Sequence, residues 1–230
     1  MGRLLSRLRQ YTRGHRNKRF RAFLDKLRPA EPERLIKVLD LGGTVPFWQA
    51  WNITTHDKLH LTLVNDHVSD AKNNVESESP FIVNRRSDVL TLTNDDFRSF
   101  DLIFSNSMIE HLSSRHAQRE LADRIGASGV PYFIQVPNKY APVDPHIPRL
   151  YLPFFGAYPK PVQARIITLK SFGPEGLKPA SLAEAYESFL NYYNPLGIRD
   201  MRELFPGAKV EFERAFGAPM SILAYRLLAG

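Results

Sequence analysis

The chain has 230 residues, of which 43% are hydrophobic and 24% charged, proportions that are typical of a globular protein. It contains no cysteine, which excludes disulfides, thiolate metal sites and cysteine nucleophiles. No apolar run approaches ~18 residues, and the charged N-terminus lacks the apolar core of a signal peptide. We therefore expect a cytoplasmic protein without a membrane-spanning helix.

The net charge of +7 lies almost entirely at the N-terminus. Residues 1–28 contain ten Lys or Arg and one acidic residue, whereas the other 202 residues together carry −2. Apolar residues recur at helical spacing over residues 3–28, which predicts one or two helices with a break at Gly14. We therefore divide the chain into a basic helical arm, residues 1–30, and a main domain, residues 31–230.

Strand patterns alternate with helical patterns along the main domain. The first five strand candidates are RLIKVLDLGG (34–43), LHLTLVND (59–66), PFIVNRRSD (80–88), the start of SFDLIFSNSMIEHL (99–112) and VPYFIQVPN (130–138). Such alternation implies parallel pairing with right-handed crossovers. Two further strands, AKVEFERAF (208–216) and PMSILAYRLL (219–228), are expected to be antiparallel neighbours. The sequence thus predicts an α/β fold with a seven-stranded, mostly parallel sheet, helices on both faces and a C-terminal antiparallel pair.

Prolines and aromatic residues interrupt this alternation over residues 137–161. Proline disrupts regular strand pairing, and clustered aromatic side chains are unusual in a merely solvated loop. We interpret residues 137–180 as an insertion that forms a lid or one wall of a pocket. Helices are predicted over residues 113–126, 181–193 and 198–205.

The strongest local motif is KVLDLGG followed by TVPFW. The first strand candidate ends in Asp40, and Gly42 and Gly43 form the turn after it. Ligands of open α/β sheets bind outside the carboxyl ends of the strands, and glycine lets a ligand approach the backbone there. The turn lacks the third glycine of a dinucleotide-binding motif, which favours a ligand without phosphate. An ordinary strand-to-helix turn is the alternative.

Polar residues also end the next two strand candidates. Asn65 and Asp66 follow the second strand, where a polar or acidic side chain can hold ribose hydroxyls. Ser87 and Asp88 follow the third strand, where a carboxylate could accept a hydrogen bond from an adenine amino group. Each of these residues could instead form a turn or cap a helix.

The fourth strand candidate ends in Ser105, Asn106 and Ser107, and Glu110 and His111 follow it. Small polar residues at that position would line a cofactor cleft. His111 could act as a base, although capping a helix or bonding to a neighbouring loop is its simpler role.

The order and spacing of VLDLGGT, LTLVND, SD, FDLIFSNSMIEHL and YFIQVPN resemble the class I S-adenosylmethionine (SAM)-dependent methyltransferases. More narrowly, the chain is similar to bacterial methyltransferase-domain proteins with SNSxIEH, a PN after the fifth strand and a downstream PH. The resemblance covers residues 34–228. It implies a Rossmann-like fold, SAM as the cofactor and methyl transfer to an acceptor.

The resemblance also implies a role for each strand-end residue. Asp40, Gly42 and Gly43 would contact the methionine portion of SAM, and Ser105 and Asn106 would lie beside the sulfonium and its methyl group.

At the other end of the cofactor, the chain departs from the family pattern. Asn65 stands where the family most often has an acid for the ribose, so either Asn65 or Asp66 would bind it. Ser87 replaces the usual glycine before Asp88, the residue expected at the adenine.

The acceptor is not identified by any motif. If it is a hydroxyl, a general base would help, and the candidates are His146 in first place, then His111 and Asp144. His146 could instead only hold the proline-rich insertion in place. No pair of histidines has metal-ligand spacing, so no metal is expected. A small-molecule or sugar-containing acceptor is suggested by the resemblance. The aromatic side chains of the insertion could pack against that acceptor or could equally pack the insertion on the sheet: Tyr140, Tyr151, Phe154, Phe155 and Tyr158.

The basic arm leaves other functions open. Residues 3–28 could bind nucleic acid phosphates, as in a nucleic-acid methyltransferase. The same segment could lie on a membrane surface or bind a partner, in a protein with or without catalysis. A nicotinamide-dependent enzyme is a further alternative, which the missing third glycine disfavours.

Overall fold

A computed structural model of the chain describes residues 2–27, 33–66, 80–144, 152–169 and 178–227, with side chains in the first helix from residue 14 onward. The helices are α1 (Gly2–Leu27), α2 (Val45–Gln49), α3 (Asn94–Arg98), α4 (Arg115–Ser128), α5 (Lys160–Leu169), α6 (Leu182–Ser188) and α7 (Ile198–Leu204). The strands are β1 (Ile36–Leu41), β2 (Leu59–Asn65), β3 (Ile82–Arg86), β4 (Leu102–Asn106), β5 (Tyr132–Pro137), β6 (Lys209–Ala215) and β7 (Ala218–Arg226).

The strands form one sheet in the order β3-β2-β1-β4-β5-β7-β6. Strands β1 to β5 pair in parallel, and β7 is antiparallel to both β5 and β6. The direction of winding reverses between β1 and β4, which creates the crevice where ligands of such sheets bind. The predicted α/β class, seven-stranded sheet and C-terminal antiparallel pair are confirmed.

Helices cover both faces of the sheet, because the central strands are apolar on both sides. Leu39 and Leu41 of β1 face a cluster completed by α3, α4 and α7. Ile36 and Val38 face the opposite way, into a cluster that contains α1, α2 and both tryptophans. This alternation along β1 sends Asp40 to the face that α1 covers.

The basic arm is one continuous helix, so the predicted break at Gly14 is wrong. Gly14 is exposed, and nothing lies within 4 Å of the position that a Cβ would take there, so the helix continues through this residue without a packing contact at it. Phe20 is fully buried and its ring contacts Trp48, Trp51, Phe104 and Phe133. The second half of α1 is therefore part of the domain's core.

The insertion after β5 builds its own small apolar cluster. Phe155, Ala164 and Ile167 pack with Ala185, Leu190 and Tyr193, which join α5 to the segment after α6. The predicted helix over 181–193 is shorter, because α6 ends at Ser188 and a 3-10 turn spans Leu190–Tyr192. In the described part of the chain, no helix is both long enough and apolar enough to cross a bilayer.

Candidate functional site

A cavity of about 810 Å³ opens at the carboxyl ends of β1, β2, β3 and β4, beside the point where the winding reverses. Its size lies within the range of ~300–1,000 Å³ that is usual for small-molecule sites. Its walls come from the ends of four strands and from one residue of the distant 190–192 turn. The lining residues are Gly42, Val64, Asn65, Asp66, Asp88, Val89, Leu90, Ser107, Met108, His111, Leu112, Ser113 and Tyr192.

Gly42 lines this cavity at a position where a side chain would be strained and would displace Met108. Its φ of +78° lies in the left-handed region, and a Cβ would stand 2.3 Å from Cγ of Met108. Its amide donates a hydrogen bond to the carbonyl of Val64, which fixes the turn against β2. The predicted glycine turn thus brings β1, β2 and the segment after β4 together at the cavity.

Asp40 lies outside the cavity wall, with its carboxyl group buried beneath the turn. One oxygen accepts a hydrogen bond of 2.6 Å from Nε1 of Trp48, and the other has no partner among the described residues. A Cβ at Gly43 would stand 2.0 Å from this carboxylate, so Gly43 makes room for Asp40. Burial raises the pKa of Asp40 from 3.8 to about 7, and the Trp48 hydrogen bond opposes that shift. In the described geometry, the Asp40 carboxyl group packs against Gly43 of the turn and is not part of the cavity wall.

The ends of β2 and β3 place three of the predicted residues on the cavity wall, namely Asn65, Asp66 and Asp88. Asp88 also caps the 3-10 turn that follows β3, because its carboxylate accepts from the amide of Leu90 at 2.9 Å. Ser87 is not part of the wall. Its hydroxyl lies 3.2 Å from that of Thr91.

The end of β4 divides the predicted residues between different surroundings. Ser105 is buried, and its hydroxyl donates to the carbonyl of Leu41, which ties β4 to β1. Asn106 faces α1, where its side-chain oxygen accepts a hydrogen bond of 2.7 Å from Nη1 of Arg16. Ser107, at φ +55°, lines the cavity, and its hydroxyl donates to Oε1 of Gln135 at 3.2 Å.

Of the three candidate bases, His111 is on the cavity wall. Its Nδ1 lies 3.1 Å from the carbonyl oxygen of Tyr192, a group that can only accept. Nδ1 therefore carries the proton in this contact, and the lone pair of a neutral ring is at Nε2. The expected bond to a neighbouring loop is present, and it leaves a role as base chemically open.

Asp144 is buried and accepts a hydrogen bond from the hydroxyl of Tyr193. Burial first, and then the negative charges of Asp144 and Glu110, raise the pKa of Tyr193 well above 10, so its hydroxyl remains protonated. This contact fastens the segment after β5 to the segment after α6. His146, the remaining candidate, lies outside the described residues.

The sequence pattern did not indicate several site residues. Met108 follows the strand end that was recognised, and Tyr192 comes from a segment predicted to be helical. Arg16 was counted only as part of the basic arm. The described part of the chain holds no group of three His, Cys, Asp or Glu that could bind a metal ion.

Comparisons with known proteins identify the fold and not the sequence family. No protein-family model matches the chain, and no curated protein matches it. Among solved structures, a candidate SAM-dependent methyltransferase from Listeria monocytogenes is 11% identical with a TM-score of 0.53, and the match covers 94% of this chain and 97% of that one. A candidate O-methyltransferase from Nostoc punctiforme is 11% identical with a TM-score of 0.50, over 92% of this chain and 56% of that one.

A protein from Rhodobacter sphaeroides described as a zinc-dependent alcohol dehydrogenase is also similar, at 12% identity and a TM-score of 0.51 over 84% of this chain and 83% of that one. The chain spans about half the length of some other methyltransferases that it matches, such as 50% of the human N-acetylserotonin enzyme. These similarities establish a Rossmann-like fold, which the matched methyltransferases and the dehydrogenase share.

Proposed function

We propose that this chain is a SAM-dependent methyltransferase that acts on a small-molecule acceptor. The observation that carries the proposal is that the side chains of Asp88, Asp66 and Asn65 line one cavity together with the backbone turn at Gly42. Carboxylate and amide groups at the ends of β2 and β3 suit the hydroxyls and amino group of a nucleoside. The glycine turn suits a ligand part that carries no phosphate.

The cavity fits such a cofactor on its own geometry. A side chain at position 42 would enter Met108, so the turn keeps backbone, and not a Cβ, at the cavity wall. Val89 and Leu90 line the same wall as Asp88, which gives apolar surface beside a polar group. An adenine ring needs that combination, because its faces are apolar and its edge carries hydrogen-bonding groups.

When bound, SAM supplies a methyl group that leaves by in-line displacement, with the carbon–sulfur electron pair returning to sulfur and an acceptor lone pair forming the new bond. The residues of the chain contribute position and the exclusion of water. Leu112 and Tyr192 also line the cavity and contribute apolar surface to it. A hydroxyl acceptor would also give up a proton to a base.

Among the three base candidates, we favour His111 because it lines the cavity. Its Nδ1 lies 3.1 Å from the carbonyl oxygen of Tyr192, a contact that orients the imidazole on the cavity wall, and imidazole is the commonest general base in enzymes. Asp144 accepts from the protonated hydroxyl of Tyr193, so it serves better to position the insertion. His146 stays a candidate that follows Asp144 by two residues.

A small-molecule acceptor is favoured over nucleic acid because arginines of the basic arm form ion pairs within the protein. Arg16, Arg19 and Arg21 pair with carboxylates of the domain, respectively Glu213, Glu211 and Asp57. These three cations are engaged in holding α1 to the domain, which leaves fewer charges in this half of the helix for phosphates.

A methyl-transfer screen tests the proposal. The full chain is incubated with SAM labelled in its methyl group and with fractions of a cell extract, and labelled products are separated and identified. We expect transfer to a small-molecule fraction. Label recovered only in RNA or DNA would move the assignment to a nucleic-acid enzyme, and no transfer in any fraction would contradict catalysis.

His111→Gln then examines the base. We expect turnover to fall by about 100-fold, the scale of general base catalysis, with SAM affinity within about twofold of the wild type. His116→Gln, on the exposed side of α4, is the matched control and should leave turnover unchanged. Equal turnover of the wild type and His111→Gln would remove His111 from catalysis.

A further inference from the structure

Arg16 of α1 is the centre of a polar cluster at the carboxyl edge of the sheet. This cluster has no part in the proposed methyl transfer as described so far. Its guanidinium donates to Oδ1 of Asn106 at 2.7 Å, to Oε2 of Glu213 at 3.1 Å and to the hydroxyl of Ser221 at 3.3 Å. The Arg16 side chain is only 15% exposed and that of Glu213 only 7%. One residue of the arm thereby links the ends of β4, β6 and β7.

The cluster is built into the core and is not a chance surface contact. Arg16 precedes the buried Phe20 by one helical turn, so both side chains lie on the face of α1 that packs on the sheet. Placing a charge in such surroundings is unfavourable unless hydrogen bonds compensate for the lost water. Arg16 meets that condition with three acceptors from three strands.

The guanidinium sets the orientation of the Asn106 amide. Arginine has donors only, so the amide oxygen must face Arg16 and the amide nitrogen must face away. Among the residues that the structure describes, none accepts a hydrogen bond from that nitrogen. Asn106 is followed directly by Ser107, which lines the cavity. The amide donor of Asn106 is therefore oriented at the carboxyl end of β4, on the residue that precedes Ser107 in the sequence.

Position and charge indicate what this donor meets. A nucleoside held by Asp88 and Asp66 at one end of the cavity extends toward β4 at the other end. In SAM, the group at that end is an amino acid, whose carboxylate accepts hydrogen bonds. A fixed amide donor beside a guanidinium suits a carboxylate.

We propose that Arg16 is a positioning residue that holds the Asn106 amide nitrogen toward the amino-acid tail of the cofactor. The inference rests on the proposed function, because it takes SAM as the ligand. It gives the basic arm a role inside the cofactor site. It also assigns the cofactor tail to the edge of the sheet that α1 covers.

The test compares two ligands that share the adenosine part. S-adenosylhomocysteine carries the amino-acid tail, and 5′-methylthioadenosine lacks it. Binding of each ligand to the full chain is measured by calorimetry for the wild type, Arg16→Met and Asn106→Asp. We expect both variants to weaken S-adenosylhomocysteine binding by about tenfold or more, since a charge-assisted hydrogen bond is lost, and to leave 5′-methylthioadenosine binding within about twofold.

Arg19→Met is the matched control, because Arg19 also links α1 to β6, through Glu211, but at a more exposed position without contact to β4. It should change neither affinity. Arg16→Met leaves Glu213 buried without its cation, so the double variant Arg16→Met/Glu213→Gln keeps the comparison open if the single variant unfolds. Thermal melting checks that each variant is folded.

Each outcome decides the inference. Selective weakening of S-adenosylhomocysteine supports it. Equal weakening of both ligands would show a general effect on the fold, and unchanged binding of both would show that the amide does not meet the tail; either result overturns it. If the wild type bound neither ligand, the proposed function itself would fail.

Discussion

The proposed nucleoside end and the proposed tail end of the cofactor site are built from different parts of the chain. At the proposed nucleoside end, Asn65 ends β2, and Asp66 and Asp88 follow β2 and β3, with all three residues on the cavity wall. At the proposed tail end, off that wall, Asp40 is buried beneath the turn and Asn106 is held by Arg16, which comes 90 residues earlier in the chain. The position of a strand end in the sequence therefore indicates which residues lie near the cavity. The direction in which their side chains point depends on contacts between distant elements.

The largest expected effect comes from the turn that both ends share. Gly42→Val should abolish binding of SAM and of 5′-methylthioadenosine alike, because the side chain would enter Met108 and require a strained φ of +78°. The strained backbone should also cost about 1–3 kcal/mol of unfolding free energy. Calorimetry and thermal melting check both results.

Gly126→Val is a partial control, because Gly126 has nothing near its Cβ position and a negative φ within α4. It should keep both ligands bound. Tight binding by Gly42→Val would mean that the ligand does not contact this turn. The turn would then not join the proposed nucleoside and tail ends of the site.

The nucleoside end is separated from the tail end by Asp66→Ala. We expect it to weaken S-adenosylhomocysteine and 5′-methylthioadenosine equally, by about tenfold or more, because the ribose is common to both ligands. Ser87→Ala, whose side chain lies outside the wall beside Thr91, should change affinity by less than about twofold. If Asp66→Ala weakened binding of S-adenosylhomocysteine only, Asp66 would lie at the amino-acid tail and not at the ribose.

Asp40 gives the smallest effect on binding and a distinctive effect on stability. Because its pKa is about 7 in the folded chain and 3.8 ordinarily, the folded state binds the proton more tightly than the unfolded state. The resulting stabilisation is complete below pH ~4 and is lost as the pH rises through ~7, a change on the order of 4 kcal/mol.

Asp40→Asn should remove this part of the pH dependence while SAM affinity changes by only a few fold. Denaturant unfolding between pH 4 and 8 measures it, and Asp25→Asn, at an exposed position on α1, should keep the wild-type profile. A profile that Asp40→Asn leaves unaltered would contradict the burial of this carboxyl, and loss of SAM affinity would place Asp40 in direct contact with the ligand.

The sequence predicted the sheet and the strand-end residues because both follow local patterns. Alternating strands and helices determine parallel pairing, and the residues after Leu41, Val64 and Arg86 must then meet at one edge. It could not predict that Arg16 reaches Asn106, since that contact depends on how α1 packs through Phe20. Tyr192 was missed for the same reason, because its segment returns to the cavity only through the packing of the insertion.

The most direct test of the central claim is calorimetric titration of the full chain with SAM and, separately, with NAD. We expect one SAM site per chain with a dissociation constant in the micromolar range, about 8 kcal/mol of binding free energy, and no heat from NAD. Binding of NAD with no binding of SAM at millimolar concentration would contradict it.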